Sequence, residues 1–243
     1  MGAPPARAVS RRARARAFLL LSRVSNLPTV WSNVLAGWIA ATGRGHEAMA
    51  LVVAIAIAIS LMYTGGMFLN DAFDAPFDAA ARPDRPVPSG VVSRAEAFTF
   101  GVLLLAVGAL LVAVVAGARP FAWALALAAA IVVYDYHHKG FGLGPIVMGV
   151  CRGLVYCVAG SVSAPLSLAV IVPAIVLTAY TASLTVVAKQ AGPRAGVVVP
   201  LMIAGISLVD AVVILWSGGG PFAIVAAICF ALTLAFQRIV PGT

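Results

Sequence analysis

Eight apolar stretches, each bounded by glycine, proline or charged residues, leave this chain few possible folds. They run over about 17–41, 49–72, 94–117, 119–137, 143–163, 165–188, 196–217 and 219–240. A helix of about 20 apolar residues matches the hydrocarbon core of a bilayer. In that medium a spanning segment must satisfy its own backbone hydrogen bonds, which a helix does. The expected fold is therefore all-α, a polytopic transmembrane helical bundle of about eight spans. Composition agrees: 62% of residues are hydrophobic, 10% are charged and the mean hydropathy is +1.05, which excludes a soluble globular domain.

Two regions are expected: residues 1–16, a basic disordered arm holding Arg7, Arg11, Arg12, Arg14 and Arg16, and residues 17–243, a single transmembrane helical domain. The arm runs straight into a membrane-length segment instead of a short apolar stretch with a cleavage site, so it reads as retained. The net charge of +8 is spread over loops without a nucleic-acid module, and no nucleic-acid partner is expected. Loop charges set an orientation instead. With the N-terminus in the cytoplasm, Arg82, Arg85, Arg94, Lys139, Lys189, Arg194 and Arg238 share that side, and Arg44 and Arg119 lie opposite. Cys151, Cys157 and Cys229 lack C-x-x-C pairing and a nearby histidine, and read as small core residues.

The second stretch ends in Asn70-Asp71-Ala-Phe-Asp74-Ala-Pro76-Phe-Asp78. At i, i+3 and i+7 the three carboxylates share one helix face. A carboxylate costs roughly 2.5–3.5 kcal/mol near the bilayer centre and less toward its edge, so the three must face a watery, protein-lined cavity. Clustered hard oxygens there suit Mg²⁺, with Asp71, Asp74 and Asp78 as ligands and Asn70 positioning them. Pro76 lacks an N–H and should kink or restart the helix between Asp74 and Asp78. The loop that follows is rich in proline and carries Arg82 and Arg85. Carboxylates that hold Mg²⁺ and arginines that fork onto phosphate oxygens are the two parts a diphosphate site requires.

Asn70-Asp71-x-x-Asp74-x-x-x-Asp78, followed by Arg82, Arg85-Pro86 and Pro88-Ser89-Gly90, resembles the first aspartate-rich motif and loop of the UbiA superfamily of intramembrane prenyltransferases. Arg23, Asn26 and Asn33 in the first stretch, and Tyr134 to Lys139 at the end of the fourth, agree in order. The resemblance covers about residues 17–190 and is sharpest over 70–90; S-N-L-P-T-V-W and M-G-V-C-R-G-L-V-Y are most similar to the EboC-like branch. The resemblance implies Mg²⁺-dependent transfer of an isoprenyl group from an isoprenyl diphosphate to a second small-molecule or lipid acceptor, with release of pyrophosphate. It also implies an integral membrane protein of the bacterial inner membrane with its N-terminus and active site cytoplasmic.

Two further departures from the family accompany Pro76. Where a second aspartate-rich motif is expected, the sixth stretch has Tyr180, Thr181, Ser183 and Thr185 and then Lys189, without an acid. Either one ion suffices, or Lys139, Lys189 and the arginines neutralise the diphosphate. Eight stretches stand where the family has nine, which suggests that a C-terminal helix is missing.

Arg82, Arg85, Lys139, Arg23, Arg152 and Lys189 are the candidate diphosphate-binding cations. Arg152 lies well inside the fifth stretch and needs an anion there. Asp135, His138, Asn26 and Tyr134 are candidates for the acceptor side. Asp210, alone in the seventh stretch, is left outside the site. Two other readings stay open: a UbiA-type terpene cyclase that ionises the diphosphate without an external acceptor, and a non-enzymatic membrane transporter or binding protein.

Overall fold

The structure is a computed structural model and describes residues 10–43, 48–137, 142–240 and 242. Among these residues it contains nine α-helices, three single 3₁₀ turns and no strand. The helices are α1 (Arg11–Ser22), α2 (Leu27–Thr42), α3 (Met49–Ala81), α4 (Arg94–Ala116), α5 (Ala118–His137), α6 (Gly144–Gly160), α7 (Leu168–Gln190), α8 (Ala195–Trp216) and α9 (Ala223–Gln237). Each of the eight apolar stretches holds one long helix, α2 to α9. Six segments of the described residues are long and apolar enough to cross a membrane, and α6 is a shorter apolar helix. This is an integral membrane protein. Leu103, Leu110, Ile175, Val212 and Ile224 project outward from it, as lipid-facing side chains do.

Three expectations need correction. Residues 11–16, expected in the disordered arm, form the first turns of α1, which is capped by Ser10 and buries Ala17 and Leu21. Residues 1–9 lie outside the described residues. The first stretch is not one span: the chain turns at Arg23, whose backbone is left-handed (φ 45°), makes a 3₁₀ turn over Val24–Asn26 and restarts as α2 with Pro28 in its first turn. Proline at that position lacks only an N–H that the helix start leaves unused.

Pro76 does not break α3, which continues to Ala81. The carbonyl that loses its partner is that of Ala72, four residues back. The Arg94 Nε–H donates to it at 2.9 Å from the start of α4. A side chain from the neighbouring helix thus replaces the missing backbone donor, and Asp78 stays in register. At 1.5 Å per residue α3 is about 50 Å long, against a hydrocarbon core of about 30 Å, so its acidic turns reach past that core.

Close helix contacts hold the bundle together. On α3, a Cβ added at Gly65 would stand 2.7 Å from the Gly101 carbonyl oxygen of α4, and one added at Gly149 on α6 would stand 2.3 Å from the Thr178 carbonyl oxygen of α7. Only backbones without that carbon approach so closely. Helix α2 is the most enclosed, with almost every residue from Pro28 to Ala40 buried. A second apolar cluster, with Leu21, Phe68, Val87, Val92 and Ala97, packs α1 and the α3–α4 loop against the acidic end of α3.

Candidate functional site

Asp71, Asp74 and Asp78 are turned inward, at 7%, 9% and 3% exposure, and Phe77, about a quarter-turn around the helix, is exposed. Arg85 closes over them. Its Nη1 donates to Asp71 Oδ1 at 3.1 Å and to Asp78 Oδ2 at 2.8 Å. The loop that carries Arg85 is folded back on itself: Ser89 N–H donates to the Arg85 carbonyl, Val92 N–H to that of Pro86, and Gly90 takes φ 78°. Buried Val87 and Val92 anchor it. Proline-restricted φ angles and a left-handed glycine therefore aim one guanidinium at two carboxylates.

Arg23 stands at the joint of α1 and α2. Its Nη2 donates to Asn70 Oδ1 at 3.4 Å and lies 3.8 Å from Asp71 Oδ1. Asn70 Nδ2 donates to Asp135 Oδ1 of α5 at 3.3 Å. The amide beside the acids thus links a cation from one element to a carboxylate from another.

Two cavities have Arg23 in their walls. A polar one of about 460 Å³ is lined by Arg23, Asp71, Arg82, Asp84 and Arg85. A chamber of about 220 Å³ lies between α2, α3, α5, α6, α7 and α8, with Val30, Ile59, Leu127, Ile131, Leu184 and Ile203 as its apolar wall. Its polar lining includes Arg23, Asn26, Tyr63, Tyr134, Asp135, Arg152, Thr181 and Thr185. Arg23 lines both cavities.

The remaining sequence candidates separate. Asn26 is fixed in place: its Nδ2 donates to Tyr63 Oη and to the Gly242 carbonyl, both at 3.1 Å, and its Oδ1 accepts from Gln237 Nε2 at 3.0 Å. Arg152 is not among the acids. It lines the chamber, donates from Nη1 to Asn33 Oδ1 at 3.0 Å, and its Cζ lies 5.5 Å from the Tyr63 ring centre. Lys189 is exposed in the last turn of α7 and lines neither cavity. His138 and Lys139 lie outside the described residues.

Sequence reasoning set Asp210 aside, but it is the centre of a buried network. Its Oδ1 accepts from Asn33 Nδ2 at 2.9 Å and from the Tyr156 hydroxyl at 2.6 Å, and its Oδ2 accepts from Asn33 Nδ2 at 2.8 Å and from Ser32. Ser32 also meets the Ser207 hydroxyl at 2.9 Å. Asn33 carries the network on to Arg152. The signal available in sequence was the group of polar residues on three otherwise apolar stretches, without any indication that they converge.

The donor set at the end of α3 suits a hard divalent cation, since it consists of carboxylate oxygens facing one way. In this arrangement the acids are not drawn around one point. Among the described residues, no three His, Cys, Asp or Glu side chains are grouped to hold an ion. The Arg85 guanidinium takes the oxygens of Asp71 and Asp78 that an ion would use. The chemistry of these residues fits a divalent cation, and in this structure Arg85 occupies two of their oxygens.

Residues 27–241 match the sequence profile of the UbiA prenyltransferase family. The chain is similar to the digeranylgeranylglyceryl phosphate synthases of Metallosphaera sedula, at 30% identity over 56% of this chain and 48% of that protein, and of Sulfolobus acidocaldarius, at 29% identity over 69% and 60%. It spans about half the length of these relatives. Its fold is that of a solved UbiA homologue from Archaeoglobus fulgidus bound to GPP and Mg²⁺, with a TM-score of 0.60 and 16% identity over 92% of this chain and 86% of that one.

Proposed function

We propose that this chain, which belongs to the UbiA prenyltransferase family, is an intramembrane prenyltransferase that moves an isoprenyl group from an isoprenyl diphosphate to an acceptor and releases pyrophosphate. The observation that carries this reading is that Arg23 lines both cavities, one polar and one apolar. The polar one is lined by buried carboxylate and three arginines. A diphosphate with an isoprenyl tail has the same two halves. The names of the synthase relatives and the GPP and Mg²⁺ of the solved homologue support the same assignment.

Arg82, Arg85 and Arg23 bind the diphosphate oxygens, and the chamber takes the tail. As the allylic C–O bond breaks, negative charge grows on the departing pyrophosphate. Cations fixed around it stabilise that transition state more than the ground state. Mg²⁺ held by Asp71, Asp74 and Asp78 supplies the same stabilisation as a Lewis acid when bound. Arg85 has two roles in this reading. It neutralises Asp71 and Asp78 when they stand alone, and it turns onto the diphosphate when cation and substrate arrive. The acceptor forms its new bond to the allylic carbon and loses a proton, for which Asp135 is the base lining the chamber. The site opens to the cytoplasm of a bacterial inner membrane, the side that the loop arginines mark.

The test is substitution of the acids. Asp71→Asn and Asp74→Asn are expected to abolish pyrophosphate release in purified, inserted and folded protein. Turnover unchanged in either variant would refute the assignment of the site.

A further inference from the structure

Helix α1 opens with Arg11, Arg12, Arg14 and Arg16, all of them exposed. Two contacts fix where they lie. Arg14 pairs with Glu96 in the first turn of α4, and the Phe18 ring meets that of Phe100 edge-on at 5.2 Å. From the first contact to the second both helices advance by the same number of residues, so α1 runs alongside α4 in the same direction. Helix α4 is long and apolar enough to cross a membrane and starts at Arg94. The arginines of α1 therefore stand level with the rim of the hydrocarbon core, and the apolar turn after them enters it.

The face that α1 turns away from the bundle changes character along its length. Arg12, Arg16 and Leu19 stand at i, i+4 and i+7 and share that face, away from the buried Ala17 and Leu21. Leu19 is half exposed, and Phe100 and Leu103 of α4 are exposed as well. Arg12 and Arg16 are one turn apart, a spacing at which like charges repel. Among the described residues neither is in an ion pair. Two guanidinium groups at headgroup level, above a leucine that faces lipid, complement a molecule with an anionic head and an apolar tail. None of these three residues lines either cavity, whereas Leu20 and Leu21 wall the polar one.

We propose that Arg12 and Arg16 bind the phosphate of an anionic phospholipid of the surrounding bilayer, with an acyl chain laid against Leu19. The phosphate oxygens accept from both guanidinium groups and relieve their repulsion. The lipid is a partner and not a reactant: it sits outside both cavities and holds the helix that ends at Arg23. Its binding is measured without turnover, so the site and the prenyltransferase reading stand or fall separately.

The experiment uses the full chain in dodecyl maltoside and follows unfolding temperature against added dioleoyl phosphatidylglycerol, dioleoyl phosphatidylcholine or inorganic phosphate. Phosphatidylglycerol should stabilise the protein saturably and at a lower concentration than phosphatidylcholine, and raised salt should weaken it, since exposed charges are screened. Each arginine beside an anionic headgroup is worth about fivefold in affinity, so the double variant Arg12→Gln with Arg16→Gln should bind phosphatidylglycerol about 25-fold more weakly. Arg194→Gln, which removes an exposed arginine just before α8, should leave the affinity unchanged.

Equal binding of the two lipids, or unchanged affinity in the double variant, would overturn the proposal. An equal loss in Arg194→Gln would also overturn it, because the effect would then belong to the basic surface as a whole. Stabilisation by inorganic phosphate that matches the lipid and depends on Arg12 and Arg16 would assign the pair to a soluble anion instead. Should the double variant fail to fold, Arg16→Gln alone decides: about fivefold weaker binding supports the site, and unchanged affinity overturns it.

Discussion

Replacing Arg85 by glutamine tests how the acidic end of α3 is held together. Arg85 makes two charge-assisted hydrogen bonds, at 3.1 and 2.8 Å, to carboxylates that are nearly enclosed, and its own side chain is 21% exposed. Removing one partner of a buried ion pair costs about 3–5 kcal/mol, because the other charge is left without compensation. The residual exposure of Arg85 puts this case at the lower end, about 3 kcal/mol. In a chain of this size each kcal/mol moves the unfolding temperature by about 2–4 °C, so Arg85→Gln should melt about 6–12 °C below wild type in EDTA.

A divalent cation can take the place of the guanidinium. At a hundred times its dissociation constant it returns about 2.7 kcal/mol. In wild type the same cation must first displace Arg85, so it stabilises less. The assay is thermal unfolding of both proteins in detergent or nanodisc, with EDTA and with a Mg²⁺ series. A larger Mg²⁺ shift in Arg85→Gln than in wild type is expected. Equal melting of the two proteins in EDTA, or no greater Mg²⁺ shift in the variant, would refute the idea that Arg85 and the cation compete for Asp71 and Asp78.

Other substitutions probe the Pro76 repair, the buried network and the helix contacts. Arg94→Met frees the Ala72 carbonyl and should cost about 1–3 kcal/mol, the penalty for an unsatisfied buried acceptor. Pro76→Ala restores the backbone donor, so the double variant should recover most of that loss, and a double-mutant cycle in urea or SDS unfolding measures the coupling. Asp210→Ala strands the donors of Asn33 and Tyr156 and leaves Arg152 without its counter-charge; about 3–5 kcal/mol of destabilisation is expected, read by the same unfolding assay. Gly149→Val pushes α6 from α7 and should lower the unfolding temperature by more than Gly142→Val, where no atom lies within 4 Å of an added Cβ.

The bundle was legible because the length and apolarity of a stretch report helix and membrane at once. The break at Arg23 was not, since apolar residues continue on both sides of a turn that one left-handed residue makes. Pro76 misled for a different reason: a proline removes a hydrogen bond locally, but whether the helix yields depends on a donor from elsewhere, here Arg94, which lies eighteen positions on in the chain. The acids and the Arg85 loop were both read as parts of one site, but in separate roles. Their direct pairing depends on how the loop folds back. The network around Asp210 was beyond reach because its members come from α2, α6 and α8, and only packing brings them together. Thr181 stands where a second acidic motif was expected, and in the structure that position faces the chamber.

The most direct measurement follows the label of a radioactive isoprenyl diphosphate incubated with purified protein, a lipid extract and Mg²⁺. Label should pass into an extractable lipid product as pyrophosphate is released, and both should stop without Mg²⁺ or in Asp74→Asn. Pyrophosphate released without the extract, with the label in a cyclic hydrocarbon or alcohol, would contradict transfer to an acceptor. Label that remains in the diphosphate under every condition would contradict the enzyme reading itself.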